Sequence, residues 1–113
     1  MKDDRVYLAH ILRCVERIEA YTVEGREGFM ASDLIQDGVL RNLQTLAESS
    51  QRLADRVKAR HPEVDWRSLS GFRNVLAHDY LGVDLDQIYR AVERDVPGLK
   101  QACLAALGEL LSC

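Results

Sequence analysis

A long apolar stripe at helical spacing constrains the fold of this chain more than any other feature of its sequence. The stripe advances in steps of four, four, three, four, three and four residues through Ile35, Val39, Leu43, Leu46, Ser50, Leu53 and Val57. This spacing is typical of one face of an α-helix, and no segment alternates between apolar and polar residues long enough to indicate a strand. Ser32 can cap the helix and Pro62 would stop it. The pattern therefore predicts one helix from Ser32 to about Arg60.

Four further helices are predicted around the long one. The first, over about residues 3–21, has the same periodicity in Leu8, Ile11, Leu12, Val15 and Ile18. A short segment around Phe29 and Met30 follows it. The other three are delimited by capping and breaking residues: Asp65 before a helix from Trp66 to near Gly82, Asp84 before a helix through Arg94, and Pro97 in the first turn of the last. We expect an all-α, up-and-down bundle of about five helices in a single domain, residues 1–113.

The length and charge of the chain limit its class. A chain of 113 residues with 47% apolar and 29% charged residues can bury one core, as ordinary globular domains do. Its formal net charge of −3 gives no overall electrostatic attraction for nucleic acid, so any such contact has to be local. The most basic stretch, residues 51–61, is more simply interpreted as a solvated helix face.

Membrane, disulfide and metal features are not predicted. The longest apolar runs are far shorter than the ~20 residues of a membrane span, and the acidic N-terminus does not resemble a signal peptide. Three widely spaced cysteines favour a reducing compartment. His10 and Cys14 could share a helix face, but they lack further zinc ligands at a suitable spacing. We expect a cytoplasmic protein without a metal or other cofactor.

The segment "RNVLAHDY", residues 73–80, places Arg73, His78 and Tyr80 among apolar neighbours. On a regular helix Arg73 and His78 point about 140° apart, whereas Asn74 and His78 are neighbours at i and i+4. Two arrangements would bring these groups to one ligand. Either the helix ends or bends around Ala77, or a second copy of the chain completes the site at a two-fold axis.

Arginine and histidine together suit phosphodiester chemistry. A guanidinium group binds phosphate through charge-assisted hydrogen bonds, and imidazole transfers protons near neutral pH. RNA carries an internal nucleophile in its 2′-OH, so such a site needs no metal. From the residues alone, structural roles are the more common outcome: His78 as a helix cap or core residue, Arg73 in an ion pair with Asp37 or Asp79, and Tyr80 as a half-buried aromatic.

The same segment resembles the R-x4-H-x-Y signature of HepT-like toxins in the HEPN superfamily. Arg73, His78 and Tyr80 occupy the three named positions, and Asn74 occupies the polar position after the arginine. The flanking segments "IQDGVLRNLQTLAESSQRL", "HPEVDWRSLSGFRN" and "YLGVDLDQIYRAVERDVPGLK" are also similar to those of the family. The resemblance extends from about Val6 to Leu110.

This resemblance implies a homodimeric, metal-independent RNA endonuclease, the toxin of a toxin–antitoxin system, with its active site in the dimer cleft. Arg73 and His78 would be catalytic and Asn74 would assist them. Asp37 and Arg41 match polar positions of the family's long helix, which suggests a supporting role. The implied partner is a nucleotidyltransferase antitoxin that transfers AMP onto Tyr80. The alternative is a non-catalytic dimeric module that docks the nucleotidyltransferase.

Overall fold

Seven α-helices and no strand make up the part of the chain that the computed structural model describes, residues 3–78 and 84–112, with side chains described for all of these except 73–78. The helices are α1 (Asp4–Tyr21), α2 (Gly25–Ala31), α3 (Asp33–Gln51), α4 (Asp55–Ala59), α5 (Trp66–His78), α6 (Leu85–Arg94) and α7 (Val96–Leu111). The all-α prediction is confirmed. The helix count exceeds the predicted five, because the segment before α3 is itself helical and the predicted long helix is divided into α3 and α4.

The first additional helix is α2, which the sequence indicated only as a short segment. Gly25 begins it with a φ of +77°, a left-handed conformation that a residue with a side chain rarely adopts. Phe29 is fully buried, and its ring lies 5.3 Å from that of Tyr89 on α6. This aromatic contact packs α2 against α6. The packing stabilises α2, since so short a helix is not stable by itself.

The second additional helix arises because the predicted long helix is interrupted. α3 ends at Gln51, and Ala54 adopts an extended conformation with φ −63° and ψ 145° before α4 begins. The Ala54 amide donates to Asp4 Oδ1 on α1 at 3.0 Å instead of continuing the helical ladder. Leu53 and Val57 remain buried across the break. The prediction of one continuous helix to Arg60 was therefore wrong, since the apolar spacing continues where the helical conformation of the backbone is interrupted.

The Asp4 to Ala54 hydrogen bond should contribute measurably to stability. We expect Asp4→Ala to lower the free energy of unfolding by about 1 kcal/mol, the usual effect of removing a side-chain acceptor from a helix start. Asp4→Asn keeps an acceptor oxygen and should retain most of that stability. Urea unfolding followed by circular dichroism measures both variants, and equal stability of Asp4→Ala and wild type would show that water replaces the carboxylate.

Polar side chains cap three helices where the sequence predicted their starts. Ser32 Oγ accepts from the Ile35 amide at 3.1 Å. The Asp84 carboxylate accepts from the amides two and three residues later, at 3.0 and 3.3 Å. Asp65 Oδ1 accepts from the Ser68 amide at 3.0 Å. These bonds satisfy amides that have no partner within their own helix, so the predicted starts of α3, α5 and α6 are confirmed.

A single hydrophobic cluster contains residues from all seven helices. α1 and α3 share the most extensive contact, α5 packs on α3, and α7 packs on α1. The predicted stripes of α1 and α3 are buried apart from Leu12 and Ile35, which are half-buried. On α7, Leu99 and Cys103 are buried and Leu107 and Leu110 are half-buried. Within the described residues, no helix has both the length and the apolarity that crossing a membrane requires.

Candidate active site

The signature residues Arg73, Asn74 and His78 occupy the second half of α5. The first half of that helix is held firmly. Leu69 is buried, Phe72 is half-buried against the core, and Trp66 Nε1 donates to the His61 carbonyl at 3.0 Å. The core thus fixes the direction of α5 before the signature begins. Tyr80 and the helix stop predicted near Gly82 lie outside the described residues.

The backbone is helical at every residue from Arg73 to His78. The helix therefore continues through Ala77, and His78 is its last described residue. Five residues of regular helix separate the positions of Arg73 and His78 by about 140° around the axis. Within one chain the two residues occupy different faces of α5.

α3 is the neighbour of α5 that carries the two predicted supporting residues. Gln51 Nε2, at the end of α3, donates to Ser70 Oγ on α5 at 2.9 Å. Because α3 ends at Gln51 and the two helices share an extensive contact, α5 has to run back along α3 towards Arg41. Asp37 and Arg41 lie one turn apart on α3, and both are exposed.

Asn42, beside Arg41, has a structural position. It is buried, and its Nδ2 donates to the Gly38 carbonyl one turn earlier at 2.8 Å. Gly38 itself lies against the ring of Tyr21, since a Cβ at Gly38 would come within 3.0 Å of two ring carbons. The exposed face of α3 with Asp37 and Arg41 is therefore separate from its packed face.

The two described histidines outside the signature have protein partners. His10 Nδ1 lies 3.0 Å from Ser49 Oγ, which joins α1 to α3. His61 is buried, with Nδ1 3.3 Å from Glu63 Oε2 and Nε2 3.9 Å from Glu109 Oε1. Among the side chains that the structure describes, those of residues 3–72 and 84–112, no group of three or more histidine, cysteine, aspartate or glutamate residues could hold a metal ion.

The described cysteines do not have the properties of nucleophiles. Cys14 and Cys103 are both buried and free. Burial raises the pKa of the Cys14 thiol, and it raises the pKa of the Cys103 thiol to about 12. Burial therefore favours the protonated form of both thiols, which is the less nucleophilic form.

The basic stretch at residues 51–61 is partly neutralised. Arg52 lies 3.7 Å from Glu48, and Arg60 lies 3.6 Å from Glu109. A different pair of arginines, Arg90 and Arg94, borders a groove between α5 and α6. Sequence reasoning did not single these two out, although their i, i+4 spacing on the polar face of α6 was a usable signal.

Comparison with known proteins shows the family. Residues 11–106 match the family described as HepT-like, ribonuclease HepT-like. A Methanocaldococcus jannaschii protein, named as a gamma-glutamylcyclotransferase and provisionally as an RNase, is 34% identical over 110 residues. That alignment covers 96% of this chain and 50% of the relative, so the chain spans half of that longer protein.

Two other relatives match over most of both chains. A Thermococcus cleftensis protein named probable ribonuclease HepT is 36% identical over 95 residues, which are 83% of this chain and 86% of the relative. A Caldanaerobacter subterraneus protein provisionally named as an RNase is 30% identical over 106 residues, 89% of this chain and 91% of the relative. No solved structure matches the chain. The chain therefore belongs to the HepT-like ribonuclease family.

Proposed function

We propose that this protein is a metal-independent endoribonuclease that acts as a homodimer and as the toxin of a toxin–antitoxin pair. The observation that carries the proposal is the family match over residues 11–106, which includes the R-x4-H signature on the second half of α5. Arg73 and His78 are the proposed catalytic residues. Asn74, Asp37 and Arg41 are proposed to position them or the scissile phosphate.

The proposed reaction is a transfer within the RNA chain. His78 as general base removes the proton of a 2′-OH, and the 2′-oxygen attacks the adjacent phosphorus. The bond from phosphorus to the 5′-oxygen breaks, which leaves a 2′,3′-cyclic phosphate and, once an acid has donated a proton, a 5′-OH. Arg73 stabilises the negative charge that builds on the phosphoryl oxygens.

The helical geometry of α5 supports a dimeric site. One chain offers Arg73 and His78 at positions about 140° apart on an unbroken helix. A two-fold axis beside α5 would place Arg73 of one copy near His78 of the other, since an isologous contact repeats every residue twice. A second histidine would then supply the acid that protonates the leaving oxygen.

Regulation by a nucleotidyltransferase is the second part of the proposal. The Tyr80 hydroxyl would attack the α-phosphorus of a nucleoside triphosphate held by that enzyme, with release of pyrophosphate and formation of a tyrosine–AMP ester. Tyr80 follows His78 by two residues, so the added phosphate would compete with RNA phosphate for the cationic groups of the site. The modified protein should be inactive.

Cleavage of RNA by the purified protein in the presence of EDTA tests the proposed activity. We expect cleavage to persist in EDTA and to yield 5′-OH and 2′,3′-cyclic phosphate ends. Loss of cleavage in EDTA would contradict the metal-independent mechanism. A protein that never cleaves RNA but binds the nucleotidyltransferase tightly would instead be the docking module.

A further inference from the structure

The groove between α5 and α6 is a second feature of the helix that carries the signature. It has a volume of about 350 Å³ and is lined by Ser68, Gly71 and Phe72 from α5 and by Gln87, Arg90 and Arg94 from α6. On each helix the three lining residues follow one another at intervals of one to four residues. They therefore lie on one face of that helix. The two helices present these faces to a common space.

Two arginines give the groove a cationic wall. Arg90 and Arg94 are exposed, and neither has an ion-pair partner within 4 Å among the residues that the structure describes. Arg26 of α2, by contrast, pairs with Asp86. Guanidinium groups one turn apart with open donors suit an anion that repeats along a chain, such as the phosphates of a nucleic-acid strand.

Asp95 is the acidic residue among the described residues that line the groove. Asp95 borders the groove directly after α6, and it is half-buried. Burial raises the pKa of Asp95, the charge of Asp65 raises it further, and the charge of Arg94 lowers it, so Asp65 and Arg94 are both close to Asp95. Since Asp65 directly precedes α5, the acidic end of the groove is the end farthest from His78.

The other wall of the groove offers space and an aromatic surface. Among the described residues, no atom lies within 4 Å of a Cβ built on Gly71, so the described part of the groove is open at this residue. The adjacent Phe72 is half-buried, which leaves part of its side chain accessible. Nucleic-acid bases stack on such aromatic rings without regard to their sequence.

The groove leads along α5 towards the signature. Gly71 and His78 are seven residues apart. On a regular helix their positions differ by about 20° around the axis and by about 10.5 Å along it. The position of His78 therefore continues the face of α5 that lines the groove. At about 3.4 Å per stacked nucleotide, this separation corresponds to about three nucleotides.

We infer that the α5–α6 groove binds the RNA strand on one side of the cleavage point, with Arg90 and Arg94 on its phosphates and Phe72 against a base. The inference rests on the proposed ribonuclease function and extends it, because it assigns the contacts that hold the substrate beyond the reacting phosphate. Binding through phosphates and stacking would favour single-stranded RNA with little sequence preference.

Binding of a fluorescein-labelled single-stranded RNA, followed by fluorescence anisotropy in a His78→Ala background, tests the inference. Arg90→Gln together with Arg94→Gln should weaken binding roughly tenfold, the loss expected for two partly exposed ion pairs. The dependence of log affinity on log salt concentration should become shallower by about 1.4, since each phosphate contact on a single strand contributes about 0.7. The matched control is Arg13→Gln with Arg17→Gln, which removes two exposed arginines at the same spacing on α1.

A blocking variant gives a second measurement. Gly71→Glu places a negative side chain in the open part of the groove. In the otherwise wild-type enzyme it should raise KM for RNA at least as strongly as the double arginine variant weakens binding. Gly108→Glu on α7 is its control, because Gly108 is also exposed and no atom in the described part of the chain lies within 4 Å of a Cβ built on it. Circular dichroism of each variant establishes that it is folded.

The outcomes separate the inference from the proposed function. If wild type cleaves RNA and the groove variants behave like their controls, the groove inference is overturned and the ribonuclease stands. If the groove variants keep RNA affinity but lose their complex with the nucleotidyltransferase, the occupant is that protein and the inference is overturned. A wild type that neither cleaves nor binds RNA overturns both.

Discussion

Replacing His78 with alanine should lower the rate of RNA cleavage by about 10² to 10⁴-fold, the usual contribution of a positioned general acid or base. Arg73→Ala should lower it by about 10² to 10³-fold, because an unstabilised charge on phosphorus raises the barrier. Cleavage kinetics with a defined RNA measure both effects. Induced expression should arrest growth with wild type and not with either variant.

The control for His78→Ala is His10→Ala. His10 is an exposed histidine whose described partner is Ser49, and it lies on α1, which is outside the proposed site. This variant should cleave RNA like wild type. Equal growth and equal cleavage in wild type, Arg73→Ala and His78→Ala would contradict the catalytic assignment and favour the docking module.

Co-expression with the cognate nucleotidyltransferase should add one or more AMP units to Tyr80 and abolish cleavage. The reason is electrostatic, since the modification brings a negative phosphate within two residues of His78, where RNA phosphate has to bind. Intact mass and peptide mapping locate the addition. The Tyr80→Phe variant lacks the acceptor hydroxyl, so it should remain unmodified, active and toxic in the presence of the partner.

Tyr21→Phe is the matched control for Tyr80→Phe. Tyr21 is an exposed tyrosine at the end of α1, and its replacement should leave both modification and inhibition unchanged. A Tyr80→Phe protein that is inhibited as strongly as wild type would show inhibition by steric cover. Loss of cleavage in Tyr80→Phe alone would give the tyrosine a direct role in the reaction.

Local signals in the sequence predicted most of the helical framework. Ser32, Asp65 and Asp84 cap their helices as expected, because a cap depends on residues two or three positions away. The break between α3 and α4 could not be predicted in the same way. Leu53 and Val57 keep the apolar spacing across it, and the acceptor that holds the Ala54 amide lies on another helix.

The signature segment could be recognised from the sequence, but its structural surroundings could not be predicted. Arg73 and His78 stand out because their residue types suit phosphate chemistry, and the family match covers them. Arg90 and Arg94 look like an ordinary solvated face in the sequence. Only the packing of the bundle shows that α6 presents them across a groove to α5.

The contact between Asp4 and Ala54 joins residues that are 50 positions apart, so its loop has to close before it can form. Closing such a loop has an entropic cost, and contacts of this separation tend to form late in folding. The apolar faces of α1 and α3 meet in the core, away from this hydrogen bond at the start of α1. In hydrogen exchange the Ala54 amide should therefore open locally while the central amides of α3 stay protected. The first turn of α1 should thus be the last part of this contact to form in folding and the first to separate in local unfolding.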